Sequence, residues 1–201
     1  MSVDRGHARL GSPANLLGIA RIVATPVVIA LLLIGSPGLG LAAAVIFVLA
    51  GLTDFLDGWV ARARGEVSPL GVFMDLTADK VLVGGVLVAM VEVSLLPTWI
   101  VATIVVRELV IAGIRQAAAA EDVVIPARAL GKAKTLTTLI GMGALLLAHD
   151  ALTGGPLAST GIGEGLRATG FWVMVLATIL TVVSGWDYLR GALPMLRGRP
   201  G

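Results

Sequence analysis

Apolar runs close to the roughly 20 residues needed to cross a bilayer recur along nearly the whole chain of 201 residues. No other feature restricts the fold as much. Only 14% of the residues are charged and 57% are hydrophobic, against about 25% charged in an ordinary soluble domain. No polar segment is long enough for a second, soluble domain. The sequence therefore predicts one all-α integral membrane domain over residues 1–201. Cysteine is absent, which excludes disulfides, thiolate nucleophiles and thiolate metal sites. The 26 glycines fit close helix packing within a membrane.

Taken in order, residues 1–11 carry Arg5, His7 and Arg9 and read as an N-terminal tail. The first span runs from about Leu16 to Ile34, with Ser12-Pro13 or Asn15 as its cap. Its apolar run exceeds the 7–15 residues typical of a signal peptide core, and no small-residue cleavage site follows. A turn at Ser36-Pro37-Gly38 leads to a second helix from about Leu39 to Arg64. The third runs from Leu70 to Val91 and the fourth from Leu96-Pro97 to Ala119. Pro126 breaks an interfacial connection over residues 121–130, and the fifth helix runs from Gly131 to His149. The stretch from Asp150 to Gly165 is rich in Gly, Ser, Thr and Pro and reads as a flexible loop. A sixth helix covers Leu166 to Leu189, and residues 190–201 read as a C-terminal tail. Arg5, Arg9, Arg62, Arg64, Arg128, Lys132, Lys134, Arg190, Arg197 and Arg199 fall on one side of this arrangement and only Arg167 on the other. The positive-inside rule then predicts six transmembrane helices with both termini cytoplasmic, in a cell membrane.

Besides the basic residues assigned to the two sides, ten charged residues fall inside these spans: Arg21, Lys80, Arg107, Arg115, Asp54, Asp57, Asp75, Asp79, Glu108 and Asp187. Each costs about 2.5–3.5 kcal/mol or more at mid-bilayer unless paired or wet, so a function is the default reading. Asp54 with Asp57, and Asp75 with Asp79, have spacings that place each pair on one helix face. Asp54 lies roughly 12 Å along its helix from Arg62, and Asp79 roughly 12 Å from Gly71. Both pairs thus fall in the cytoplasmic half of the membrane and predict a polar cavity there. Carboxylates gathered so closely repel unless protons or cations neutralise them. Oxygen donors without Cys or His point to Mg²⁺ or Mn²⁺ rather than Zn²⁺. Two such ions about 3.5–4 Å apart can clamp a pyrophosphate. Gly58 and Gly71 would let a nucleotide or phosphate approach the helix backbones, and Arg62 can hold phosphate as a bidentate donor.

The pattern Asp54-x-x-Asp57-Gly58-x-x-Ala61-Arg62, eight residues, then Gly71-x-x-x-Asp75-x-x-x-Asp79 resembles the signature of the CDP-alcohol phosphotransferases, six-helix membrane enzymes that use two divalent metals. The resemblance implies that Asp54, Asp57 and Asp75 bind metal. It also implies that Asp79, near the second metal, is the general base, with Gly58, Ala61, Arg62 and Gly71 around the nucleotide. Within the family the chain is similar to the phosphatidylglycerophosphate synthases, through Asn15-Leu16-Leu17 with Arg21, Ala78-Asp79-Lys80, Arg107-Glu108 with Arg115, Gly131-Lys132-x-Lys134-Thr135 and Ser184-Gly185-x-Asp187-Tyr188. It departs from them in Ala14, where a Pro usually precedes the Asn, and in Gly18, where a Thr is common. By the same resemblance it is expected to be a homodimer.

Two ions offset the four aspartates, which leaves Arg107, Arg115, Lys132 and Lys134 as a second positive cluster with only Glu108 nearby in sequence. A second anion is their natural partner, and glycerol-3-phosphate brings one to a donor, CDP-diacylglycerol, whose tails lie among membrane lipids. Lys132 and Lys134 are about 200° apart on an ideal helix, so one of them is expected to reach that phosphate. Arg21 either serves the site or snorkels to headgroups. Lys80 is a counter-ion or a substrate contact, Glu108 orients Arg107, and Asp187 and Tyr188 pack the last helix or serve the site. His7 and His149 are expected to face solvent, and Trp59, Trp99, Trp172 and Trp186 to form an aromatic belt. Competing readings within the family are acceptance of inositol phosphate and cardiolipin synthesis. Outside it stands a divalent-cation transporter, which leaves the basic cluster unexplained. No nucleic-acid partner is expected.

Overall fold

The structure, a computed structural model, describes the backbone of residues 13–64, 69–120 and 129–196 and the side chains of residues 16–53, 77–119 and 130–192. The expected N-terminal tail with His7, the loop at 65–68, the connection at 121–128 with Pro126, and residues 197–201 lie outside the described residues. Those described contain six long α-helices: α1 (Pro13–Ile34), α2 (Leu39–Arg64), α3 (Pro69–Glu92), α4 (Thr98–Ala120), α5 (Ala129–Leu152) and α6 (Gly163–Leu196). A short 3₁₀ turn, Ala158–Thr160, precedes α6.

Local chemistry accounts for the breaks between them. Gly35 and Gly38 take positive φ angles of 64° and 86° on either side of Ser36-Pro37, a backbone region that glycine enters without the Cβ penalty. Pro97 lacks the N–H that would continue a helix from α3, and α4 starts immediately after it. Pro13 opens α1, where its missing donor costs nothing. Asn15 therefore lies within the first turn of α1 rather than at a cap before it.

The helices pack in a closed order. α1 lies against α2 and α3, α5 lies between α2 and α6, and α4 joins α6 to α3. Inside this ring the core is aliphatic, with Val28 and Leu32 of α1, Phe47 of α2 and Leu82, Val86 and Met90 of α3. Ile100 and Ile104 of α4, Leu145 of α5 and Met174 of α6 complete it. The outside is just as apolar. Val23, Leu49, Val88, Val106, Leu136, Ile179 and Trp172 are exposed, whereas Arg21, Lys134 and Asp150 are buried. A surface more apolar than parts of the interior belongs in lipid. Three helices contain stretches long and apolar enough to cross a membrane, Leu16–Ile34, Leu130–Leu152 and Gly163–Ala192. α3 and α4 are as long but interrupted by charge, at Asp75, Asp79 and Lys80 and at Arg107, Glu108 and Arg115.

Three expectations change. The segment after His149 is not a free loop. Asp150 belongs to α5 and is fully buried, and its carboxylate accepts hydrogen bonds from the backbone N–H of Leu41 at 3.0 Å and of Leu157 at 3.2 Å. It pins the turn before α6 to the first turn of α2, where Gly40 permits contact: a Cβ there would lie 2.7 Å from Asp150 backbone atoms. His149 does not face solvent; it is half-buried and its Nε2 is enclosed. α6 also continues past the expected end at Leu189 to Leu196, through Gly191 and Pro194. A proline near a helix end removes only one of the last hydrogen bonds, and the helix tolerates it.

Candidate active site

α3, α4 and α5 enclose a cavity of about 80 Å³. Asp79 and Lys80 come from α3, Glu108 from α4, and Lys134, Thr135 and Thr138 from α5, with Val83, Leu87, Ile104 and Leu139 as apolar walls. Asp79 and Lys80 each make a further polar or electrostatic interaction within the protein. The two threonine hydroxyls are already engaged, Thr135 with the carbonyl of Gly131 at 3.1 Å and Thr138 with that of Lys134 at 2.9 Å. The chemistry available in this space therefore rests on carboxylates and ammonium groups.

An ion network closes one side of the cavity. Glu108 Oε1 accepts a hydrogen bond from Arg107 Nη1 at 2.8 Å and another from Lys134 Nζ. Arg107 Nη2 donates to Ser184 Oγ on α6 at 3.1 Å, and the Ser184 hydroxyl donates to the Thr181 carbonyl. Arg107 lies across Gly185, where an added Cβ would stand 3.1 Å from its Cγ and 3.3 Å from its Nε. One network thus ties three helices together through charged and hydroxyl groups.

The contact between α4 and α6 continues from there. Thr181, Ser184, Tyr188 and Ala192 recur every three or four residues, so they share one face of α6, and all four are buried. Against it stand Arg107, Ile111 and Arg115 of α4. Ile111 packs on Tyr188 and Ala192, and the Arg115 guanidinium sits 5.2 Å from the centre of the Tyr188 ring. Among the described residues, Arg107 Nε, Thr181 Oγ1 and Tyr188 Oη are buried without a hydrogen-bond partner. Buried polar atoms are nearly always satisfied, and three unsatisfied ones lie along this one contact.

The residues anticipated from sequence divide accordingly. Asp79, Lys80, Glu108 and Lys134 meet in the cavity, with Arg107 beside it. The two lysines part: Lys134 is buried at the cavity and Lys132 is exposed. Arg115 is exposed and stacked on Tyr188, not in the cavity lining. Arg21 does not snorkel; it is 1% exposed, among the largest fully buried side chains of the described residues, and interacts within the bundle. Asp187 is half-buried and also has an interaction partner. Asp54 and Asp57 fall on α2 and Asp75 on α3, but their side chains, with those of Asn15, Ala61, Arg62 and Trp59 and the surroundings of Gly58 and Gly71, lie outside the described residues. Among the described residues no three metal-binding side chains gather. Ser184, Thr181 and Gly185 were not anticipated as supports for Arg107. The signal was present in the spacing of Ser184 and Tyr188 along one helix face.

Comparison with known proteins gives a consistent result. The family model described as CDP-alcohol phosphatidyltransferase matches residues 12–183. The chain is 35% identical over 189 residues to the CDP-diacylglycerol–glycerol-3-phosphate 3-phosphatidyltransferase of Bacillus subtilis (strain 168), covering 87% of this chain and 91% of that protein. It is 34% identical over 176 residues to the Rickettsia bellii (strain RML369-C) protein of the same name, covering 88% and 92%. It is 30% identical over 212 residues to the one of Cereibacter sphaeroides (strain ATCC 17023), covering 91% and 96%.

Proposed function

The chain belongs to the CDP-alcohol phosphatidyltransferase family, and from that premise we propose that it transfers the phosphatidyl group of CDP-diacylglycerol to glycerol-3-phosphate, giving phosphatidylglycerophosphate and CMP. Relatives bearing the name of that reaction match along nearly their whole length. The observation that carries the reading furthest is the meeting of Asp79, Glu108 and Lys134, from three helices, around one cavity. A base and a phosphate-binding cation from separate helices are what such a transfer needs in one place.

In this reading the lipid tails of the donor stay in the bilayer, along the apolar outside of the bundle. Arg107 and Lys134 hold the phosphate of the acceptor, with Arg115 and Lys132 nearer the entrance. Asp79 accepts the proton of the acceptor's 1-hydroxyl, whose oxygen attacks the β-phosphorus of the donor, and CMP departs. No residue stands out as a covalent nucleophile, so displacement is direct. Asp54, Asp57, Asp75 and Asp79 form an all-oxygen donor set that suits two Mg²⁺ or Mn²⁺ ions, which when bound would neutralise the donor's pyrophosphate charge. Gly58, Ala61, Arg62 and Gly71 border the nucleotide. Arg21 and Lys80 balance the carboxylates, and Asp187 and Tyr188 support the acceptor side.

Charge placement supports six spans, cytoplasmic termini and a site open to the cytoplasm of a cell membrane. The protein would work there as a homodimer. The test is CMP release from CDP-diacylglycerol with glycerol-3-phosphate and, separately, with inositol phosphate, each with and without Mg²⁺. Metal-dependent release with glycerol-3-phosphate and little with inositol phosphate is expected. Equal or better use of inositol phosphate would overturn the choice of acceptor.

A further inference from the structure

Glu108 takes no part in the transfer as written, yet it occupies a decisive position. One of its oxygens accepts hydrogen bonds from both Arg107 and Lys134, so a carboxylate sits where two of the cations assigned to the acceptor phosphate converge. Of the three side chains Glu108 is the most accessible, 28% exposed against 16% for Arg107 and 8% for Lys134, and it borders the cavity together with Asp79. Arg107 retains a buried Nε donor with no partner. Resting on the assignment of Arg107 and Lys134 to that phosphate, we propose that the Glu108 carboxylate is an internal occupant of the acceptor-phosphate seat, displaced when the acceptor binds.

The physical case is one of exchange. Buried cations left unpaired are costly, so an empty seat between Arg107 and Lys134 would destabilise the resting protein. Glu108 fills it with one negative charge. A phosphate dianion brings two charges and three terminal oxygens, enough to satisfy the same donors that Glu108 now holds. The carboxylate then turns toward the open side of the cavity, where its own hydration is recovered. An unphosphorylated polyol offers nothing in return for the broken ion pairs, so the arrangement selects acceptors by charge. If Glu108 instead stayed in place and only oriented its neighbours, removing its charge would weaken acceptor binding. The two roles predict opposite signs.

The experiment uses the full chain in detergent, as wild type, Glu108→Gln and Glu108→Asp. The readouts are KM for glycerol-3-phosphate at saturating CDP-diacylglycerol, and the inorganic phosphate concentration that raises the melting temperature with no acceptor present. In Glu108→Gln both are expected to fall about tenfold, the scale of a competing charged hydrogen bond. Glu108→Asp, one methylene short of spanning both cations, should fall by a smaller factor. A rise in both quantities, or no change, in both variants overturns the proposal. If the glutamine variant does not fold, the sign for the aspartate variant decides. If wild type releases no CMP with glycerol-3-phosphate while phosphate stabilises Glu108→Gln at lower concentration, the acceptor assignment fails and the displaced carboxylate stands. Normal use of glycerol-3-phosphate with an unchanged phosphate response removes the displaced carboxylate alone.

Discussion

Two of the places where this bundle buries charge treat it differently. At the turn before α6, Asp150 is completely enclosed, and its two oxygens take hydrogen bonds from the backbone of Leu41 and Leu157. Every partner of the carboxylate is main chain, and both of its oxygens are used. Beside the cavity of α3, α4 and α5, Glu108, Arg107 and Lys134 pair with one another through side chains, and the buried Nε of Arg107 remains unused. The contrast teaches what a charge within a membrane helix signifies. A carboxylate satisfied by backbone holds the fold together. Charges that satisfy one another and leave donors spare are held ready for something else.

The sharpest way to break this contrast is to remove a charge at each place and ask what fails. Asp79→Asn should lower CMP release by at least about a hundredfold, the usual minimum for loss of a general base, with little change in melting temperature. Asp150→Asn should do the reverse. The amide can still accept one of the two bonds but leaves a buried N–H unpaired, costing about 1–3 kcal/mol of stability in detergent unfolding, while kcat and KM of the folded protein stay as they were. A catalytic defect in the Asp150 variant without loss of stability would erase the distinction between the two places.

The lysines sharpen the comparison within the site. Lys134→Met should raise KM for glycerol-3-phosphate by about tenfold, since a charged hydrogen bond to phosphate is lost. Lys132→Met, on the exposed side of the same turn, should stay within about twofold. Equal effects would mean that the start of α5 rearranges on binding and that both lysines reach the acceptor.

Much of this was legible in the chain before its structure, and the exceptions have physical causes. Helix limits at Ile34, Leu39 and Arg64 follow from Ser36-Pro37-Gly38 and from the end of an apolar run, both local signals. The separation of Lys132 from Lys134 follows from helix geometry. Asp150 was hidden because its meaning lies in a contact with Leu41, far away in sequence, while its neighbours have the composition of a loop. Arg21 was ambiguous because an arginine near a helix end can snorkel or turn inward, and only packing decides between them. The pairing of Glu108 with Arg107 could be anticipated from adjacency. Its simultaneous bond to Lys134 on another helix could not.

The smallest expected effect tests the finest point of the contrast, which is how each place uses glycine. At Gly40 an added Cβ would meet backbone atoms of Asp150, which cannot yield without moving a helix. At Gly185 the Cβ would meet the Arg107 side chain, which can yield. Gly185→Ala should therefore leave the melting temperature nearly unchanged. It should push the guanidinium outward by a few tenths of an ångström, weakening its bond to Ser184 and misplacing one of the two cations that hold the acceptor. The expected result is a loss of about threefold in kcat/KM for glycerol-3-phosphate, about half of the net worth of an ordinary hydrogen bond, with KM for CDP-diacylglycerol unaffected. A stability loss as large as that of the Asp150 variant would mean that the α4–α6 contact is structural in the same sense as the Asp150 pin, and that Arg107 is part of the scaffold.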